Sequence, residues 1–118
     1  MNPTDIVITG LGVTSAFGPD CQAFLAGLRQ GQTAIGPLSR FDASGCRSER
    51  VGQAPDPVFP ASFVVPAQAS RPDQFGLLAA LAAVADAGLS GDALRHAAVS
   101  FGTGVGGAEH TESYLRAL

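Results

Sequence analysis

The sequence predicts an α/β protein with a helix sandwiched between sheets, and three observations predict it. Two short apolar segments, 5–11 and 97–101, each run into glycines, the pattern of core strands ending in a tight turn. A stretch between them, Phe75 to Ala85, is apolar on every side, as a helix buried all round must be. That stretch is also rich in alanine, so the helix is thin and lets two sheets approach it closely.

The elements follow in chain order. Asp5 to Leu11 is rich in β-branched residues and reads as a buried parallel strand, with Gly10 and Gly12 permitting a tight turn or a close backbone approach. Pro19-Asp20 opens a first helix that ends at Gly31. It carries Phe24, Leu25 and Leu28 on one face and Asp20, Gln22 and Arg29 on the other, which places it at the surface. From Gly31 to Ala69 the periodicity fades, and Pro37, Pro55, Pro57, Pro60 and Pro66 exclude a long helix. Phe41, Val51, Phe59, Phe63, Val64 and Val65 supply apolar anchors, so ordered excursions are expected there, with a short strand near Val51 or Val64.

Pro72-Asp73 begins the second helix, proline suiting its first turn and the acid its dipole. Asp86 is its lone charge and Gly88 its C-terminal stop. Ala97 to Phe101 reads as a second core strand feeding a glycine-rich turn. Glu109 to Leu118 reads as a third helix with Tyr114, Leu115 and Leu118 on one side.

Composition bounds the function. A chain of 118 residues is one domain or part of one. It is 46% hydrophobic and only 14% charged, with mean hydropathy +0.23. A domain of this size buries only about two-thirds of its unfolded surface, so this much apolar sequence points to faces covered by further protein. A net charge of −3, with basic residues scattered, argues against a nucleic-acid partner. Cys21 and Cys46 are too few for a disulfide framework or a zinc site. Met1-Asn2-Pro3-Thr4-Asp5 shows no secretory signal, which makes the cytoplasm the default. The apolar tract from Phe75, even extended to Leu89, is shorter than the roughly 18 uncharged residues a membrane span needs.

The chemistry-bearing motifs are weak one by one. Gly102, Gly104 and Gly107 satisfy G-x-G-x-x-G, which makes a dinucleotide-binding domain a minor alternative. Only Ala108 to Leu118 follow, too short for the βαβ unit and its acidic ribose ligand, so a plain strand-to-helix turn is favoured. At the earlier turn, Ser15 stands where a third glycine is required. The chain contains no lysine and no phosphate loop. His96 and His110 read as surface residues, since His110 and Glu112 lack a further ligand at metal spacing. Cys21, within the first helix, and Cys46, in a loop, are framed by neither a base nor a helix start. Glu109 and Glu112 read as a solvated helix edge. No metal or cofactor is expected.

The ordered set is more specific than its parts. Ile6-Val7-Ile8-Thr9-Gly10-Leu11-Gly12-Val13-Thr14-Ser15 and Phe17-Gly18 are followed by Ile35-Gly36-Pro37, Arg40-Phe41-Asp42-Ala43-Ser44 and Gly102-Thr103-Gly104-Val105-Gly106-Gly107. In that order and at those separations they resemble the amino-terminal part of β-ketoacyl-acyl carrier protein synthases, over essentially the whole chain. The resemblance implies a thiolase-like fold, a layered αβαβα sandwich of two related halves, of which residues 1–118 are the first part of the amino-terminal half. It also implies a decarboxylative Claisen condensation in fatty-acid or polyketide biosynthesis, acyl carrier protein as a partner, and a homodimer or a complementing synthase half.

That chemistry needs a cysteine thiolate at a buried helix N-terminus, two imidazoles or one and an amide, and backbone amides as an oxyanion hole. The resemblance places the cysteine and the histidines beyond the segment matching Leu118. Cys21, Cys46, His96 and His110 do not match them, so no catalytic residue carries over and the chain alone is expected to be catalytically incomplete. A broken, split or early-terminated reading frame, or a non-catalytic module that partners a synthase, would account for it. Val105, between the glycine pairs, matches the position that lines the acyl-chain pocket. Arg71-Pro72-Asp73-Gln74-Phe75 departs from the family habit of arginine directly followed by an acid, arginine and phenylalanine, and Cys21 is a second, smaller departure.

Overall fold

The first helix, α1 (Cys21–Arg29), is set by its cap: the Asp20 side chain accepts a hydrogen bond from the Ala23 N–H at 2.7 Å. It ends at Gly31, which adopts the left-handed φ of +62°. Phe17 folds back to meet Phe24 edge-on, with ring centroids 6.3 Å apart. These features belong to a computed structural model that describes residues 5–118; Met1 to Thr4, which carry most of the segment read for a secretory signal, lie outside the described residues.

The irregular stretch contains a two-stranded antiparallel sheet, β1 (Ile35–Pro37) and β2 (Arg50–Gly52), in the register Ile35 to Gly52, Gly36 to Val51 and Pro37 to Arg50. Arg50 Nη2 donates to the Ile35 carbonyl at 2.9 Å and staples the pair. The strand expected near Val51 is present, and Val64 lies in an irregular segment. β1 goes unseen in the sequence because Gly and Pro weaken any strand signal; proline fits here because both strands are edges.

The helix α2 (Arg71–Asp86) begins at Arg71, capped by Ser70, and its first turn contains Pro72. A single short turn, α3 (Asp92–Arg95), follows, and α4 (Ala108–Arg116) occupies the expected third helix.

Two sequence expectations are corrected. Segments 5–11 and 97–101 are not strands: neither is paired in a sheet among the described residues. A strand exists only where a neighbour takes its backbone donors and acceptors, and the described residues supply no such neighbour. Secondly, α2 is not buried all round; none of its residues is fully buried. Its cover is partial. Gly10 and Gly12 run against the Ala79–Ala83–Ala87 ridge, where a Cβ on Gly10 would lie 2.6 Å from the Ala87 nitrogen. The Phe101 ring covers Gly76, where a Cβ would come within 2.5 Å of the ring.

Ala43, 7% exposed, is the one buried hydrophobic side chain among the described residues, and none of those residues has a fully buried side chain. The radius of gyration, 17.5 Å, exceeds the roughly 13–14 Å of a compact domain this long. The elements therefore do not close over one core. Among the described residues no helix is long and apolar enough to cross a membrane.

Candidate functional site

The densest polar constellation gathers where the N-terminus of α2 meets the glycine-rich turn. Ser70 is 3% exposed. Its hydroxyl donates to Asp73 Oδ2 at 2.7 Å, and the same carboxylate oxygen accepts the Ser70 backbone N–H at 2.9 Å. The Asp73 N–H returns to Ser70 Oγ at 3.4 Å, which completes a reciprocal capping box. The hydrogen bonds from the Ser70 hydroxyl and then its backbone, with the nearby His110 adding least, hold the Asp73 carboxyl below its ordinary range.

Arg71 ties the irregular stretch to this helix end. Its guanidinium bonds Asp56 Oδ1, donates to the Ala54 carbonyl at 3.0 Å and lies 4.8 Å from the centre of the Phe75 ring. Arg40 Nη1 reaches the same Asp56 oxygen at 2.8 Å. The hydrogen bond from Arg71, and next its charge, hold Asp56 below the ordinary carboxylate range.

The turn closes over this end. Glu109 Oε2 accepts the Arg71 backbone N–H at 3.0 Å, His110 Nε2 lies 4.0 Å from Asp73 Oδ2, and Ser70 Oγ lies 3.5 Å from the Gly106 carbonyl oxygen. Ser70 has one hydroxyl proton and gives it to the nearer Asp73, so the Gly106 approach is a contact rather than a strong bond. Beside the constellation an open groove of about 460 Å³ is lined by Pro66, Ala69, Gly76, Leu77, Ala80, Val99 and Phe101. It is apolar, with Gln68 and Asp73 at its edge.

Val105 stands at the tip of the turn, 81% exposed, outside that groove. Cys46 is exposed. Cys21 is the first residue of α1, directly after the Asp20 cap, so it does stand at a helix start, against the reading that placed it within the helix. Its Sγ lies 3.8 Å from the Leu11 carbonyl, in a shallow pocket with Asp20, Gln22 and Asp86, and no imidazole or cation lines that pocket. His96 is exposed, and Glu112 pairs with Arg116 at 3.8 Å on the outer face of α4. No group of three or more His, Cys, Asp or Glu side chains suited to a metal occurs among the described residues. The glycine turn lacks a paired strand before it, so the strand–turn–helix context of dinucleotide binding is not formed among the described residues.

Two residues of the constellation, Ser70 and Glu109, escaped the sequence, and so did the bond of Asp86 at the other end of α2. Ser70 had a visible signal, the Ser-x-x-Asp spacing to Asp73, which marks a capping box and moves the helix start back from Pro72. Glu109 and Asp86 had none, because their partners are 38 and 75 residues away.

The family model for the N-terminal domain of β-ketoacyl synthases matches residues 3–117. The chain belongs to the β-ketoacyl synthase family. It is 36% identical over 108 residues to 3-oxoacyl-[acyl-carrier-protein] synthase 2 of a Synechocystis species, covering 86% of this chain and 26% of that relative. It is 34% identical over 119 residues to nodulation protein E of Rhizobium meliloti, covering 96% of this chain and 29% of that protein. The oxytetracycline polyketide β-ketoacyl synthase 1 of Streptomyces rimosus is 37% identical over 90 residues, covering 75% of this chain and 21% of its own length. This β-ketoacyl synthase segment thus spans only about a quarter of the length of such relatives. No solved structure matches it.

Proposed function

We propose that this chain is the opening part of a condensing enzyme that joins acyl and malonyl thioesters carried by acyl carrier protein. The family match over residues 3–117 carries the proposal. In the reaction a cysteine thiolate takes the acyl group as a thioester. Malonyl-acyl carrier protein loses carbon dioxide, and the electron pair left behind attacks the acyl carbonyl. The C–C bond forms as the C–S bond breaks, and the electron pair returns to the cysteine as thiolate. The cysteine and the histidines that stabilise the developing charge come from sequence beyond Leu118, in the same chain or a second one.

Within that enzyme, residues 1–118 supply scaffold and one wall of the acyl site. Val105, on the tip of the glycine turn, borders the acyl chain, and its bulk leaves moderate room. α2 takes the layer between two sheets of the thiolase-like αβαβα sandwich, with segments 5–11 and 97–101 as strands once neighbours pair with them. Its alanine-rich surface, half-buried and only partly covered by the described residues, and the exposed apolar residues Ile8 and Val99 support that reading. Such an enzyme works as a homodimer in the cytoplasm, on fatty-acid or polyketide chains.

The alternative reading is a non-catalytic module completing or accompanying a separate synthase half. One experiment addresses both, which is to read the gene past codon 118 and express its product. An open frame reaching a cysteine and two histidines, with a product that condenses acyl- and malonyl-acyl carrier protein, supports the first reading. A true stop, with a later synthase half co-purifying, supports the second. A true stop with no such partner overturns both.

A further inference from the structure

We infer that Glu109 is a positioning residue that fixes the glycine-rich turn, and with it Val105, against the N-terminus of α2. The need for a fixing group follows from composition. Gly102, Gly104, Gly106 and Gly107 leave this turn with far more backbone freedom than an ordinary loop, and ordering it opposes folding. Inside the turn the hydroxyl of Thr103 accepts the Gly106 N–H at 3.0 Å. That bond shapes the turn but does not locate it.

Location comes from the two ends. Upstream, the Phe101 ring lies flush on Gly76, one turn into α2. Downstream, α4 does not lie alongside any other described helix or strand, so packing does not hold it in place. Ser70 Oγ touches the turn only at 3.5 Å from the Gly106 carbonyl oxygen; the shorter link across is the Glu109 carboxylate, which accepts the backbone N–H of Arg71 at 3.0 Å. Arg71 is the first residue of α2, and its N–H is one of the donors a helix leaves unused at its start. A carboxylate there is favoured twice, by the hydrogen bond and by the positive end of the helix dipole. His110, 4.0 Å from Asp73, adds a weaker attraction between exposed groups. Val105 sits between the two anchors, so its position is set by Phe101 on one side and Glu109 on the other.

The consequence for acyl chains rests on the proposed function, because only there does Val105 border a substrate. The latch itself does not, and its test is blind to that reading. Amide hydrogen exchange of the full 118-residue chain is compared for the parent, Glu109→Ala, Glu109→Gln and Glu112→Ala. Glu109→Ala is expected to speed exchange at Arg71 roughly five- to tenfold, the size of one solvent-exposed hydrogen bond, and to shift the amide resonances of Gly104 to Gly107. Leu81 to Val84, farther along α2, should keep the parent rates. Glu109→Gln retains an acceptor oxygen and should restore most of the protection.

Glu112→Ala removes the same charge from the same helix without touching Arg71, and should leave both regions unchanged. Parent-like exchange in Glu109→Ala, equal effects from Glu112→Ala, or loss of protection along the whole of α2 that glutamine does not restore would each overturn the positioning role. Failure of the condensing-enzyme reading would show separately, in the gene sequence beyond codon 118.

Discussion

Asp86 Oδ2 accepts the backbone N–H of Leu11 at 2.9 Å and so joins the two halves of the described chain across 75 residues. The carboxylate sits at the last position of α2, where the negative end of the helix dipole opposes it. A hydrogen bond to a donor with no sheet partner offsets that cost. Asp86→Ala should release the Leu11 N–H and destabilise the docked segment by about 0.5–1.5 kcal/mol. Asp86→Asn keeps an acceptor and relieves the dipole, so it should lose less. Exchange at the Leu11 amide distinguishes them; equal protection in all three proteins would show that the contact holds nothing.

The same segment depends on the absence of a side chain at Gly12. A Cβ there would lie 2.8 Å from both the Ala83 nitrogen and the Ala79 carbonyl carbon, and helix backbone cannot yield as a flexible side chain can. Gly12→Ala is therefore expected to push residues 10–12 off α2, at about 1–3 kcal/mol, as overpacking typically costs. Gly36→Ala, whose Cβ meets nothing within 4 Å, is the matched control. Exchange at Leu11 should rise in the first variant and remain at the parent rate in the second.

The cap of α2 predicts an acid-side pH dependence. Asp73 and Asp56 are held below their ordinary range, the first chiefly by Ser70 and the second chiefly by Arg71. A carboxyl lowered on folding stabilises the fold fully above its unfolded value, about 3.9, and that contribution is lost as pH falls through the lower folded value. Helicity, followed by circular dichroism in dilute solution, should thus be level from neutrality to about pH 5 and fall below about pH 4. Ser70→Ala removes the largest cause of the Asp73 shift and a helix cap, for about 0.5–2 kcal/mol. The gap between Ser70→Ala and the parent should be widest above about pH 5 and narrow below about pH 4. A gap that widens in acid would contradict the assignment to Asp73.

What was legible in the sequence was local. Asp20 and Gly31 bound α1, and Gly88, at φ +64°, stops α2, because caps and left-handed turns are decided by one or two residues. Segments 5–11 and 97–101 have the composition of strands, but strand formation is a property of pairs, and their partners are not among the described residues. The sequence of α2, apolar on every side, predicts a helix buried all round, whereas the described residues cover it only in part. The turn around Val105 was legible as glycine-rich, whereas its seat on α2 was not, since Glu109 carries no sequence mark of bonding Arg71.

Those uncovered faces give the last prediction. Val99 is 89% exposed, and Ile6, Ile8, Leu11 and Phe101 are exposed too, all of them in segments 5–11 and 97–101, which join no sheet among the described residues. Apolar residues on extended backbone outside any sheet among the described residues form a ready template for pairing with another copy. Rising concentration should therefore drive the 118-residue chain into larger species, seen as a growing fast component in sedimentation velocity, with binding of a hydrophobic dye. Replacing Ile8 and Val99 together by lysine puts charge on both segments, and neither side chain is enclosed, so the helices should persist while the larger species recede. A parent chain that stays monomeric at high concentration and unfolds in one cooperative step would show the opposite: the partial cover over α2 would be a sufficient core, and the exposed segments would need no partner.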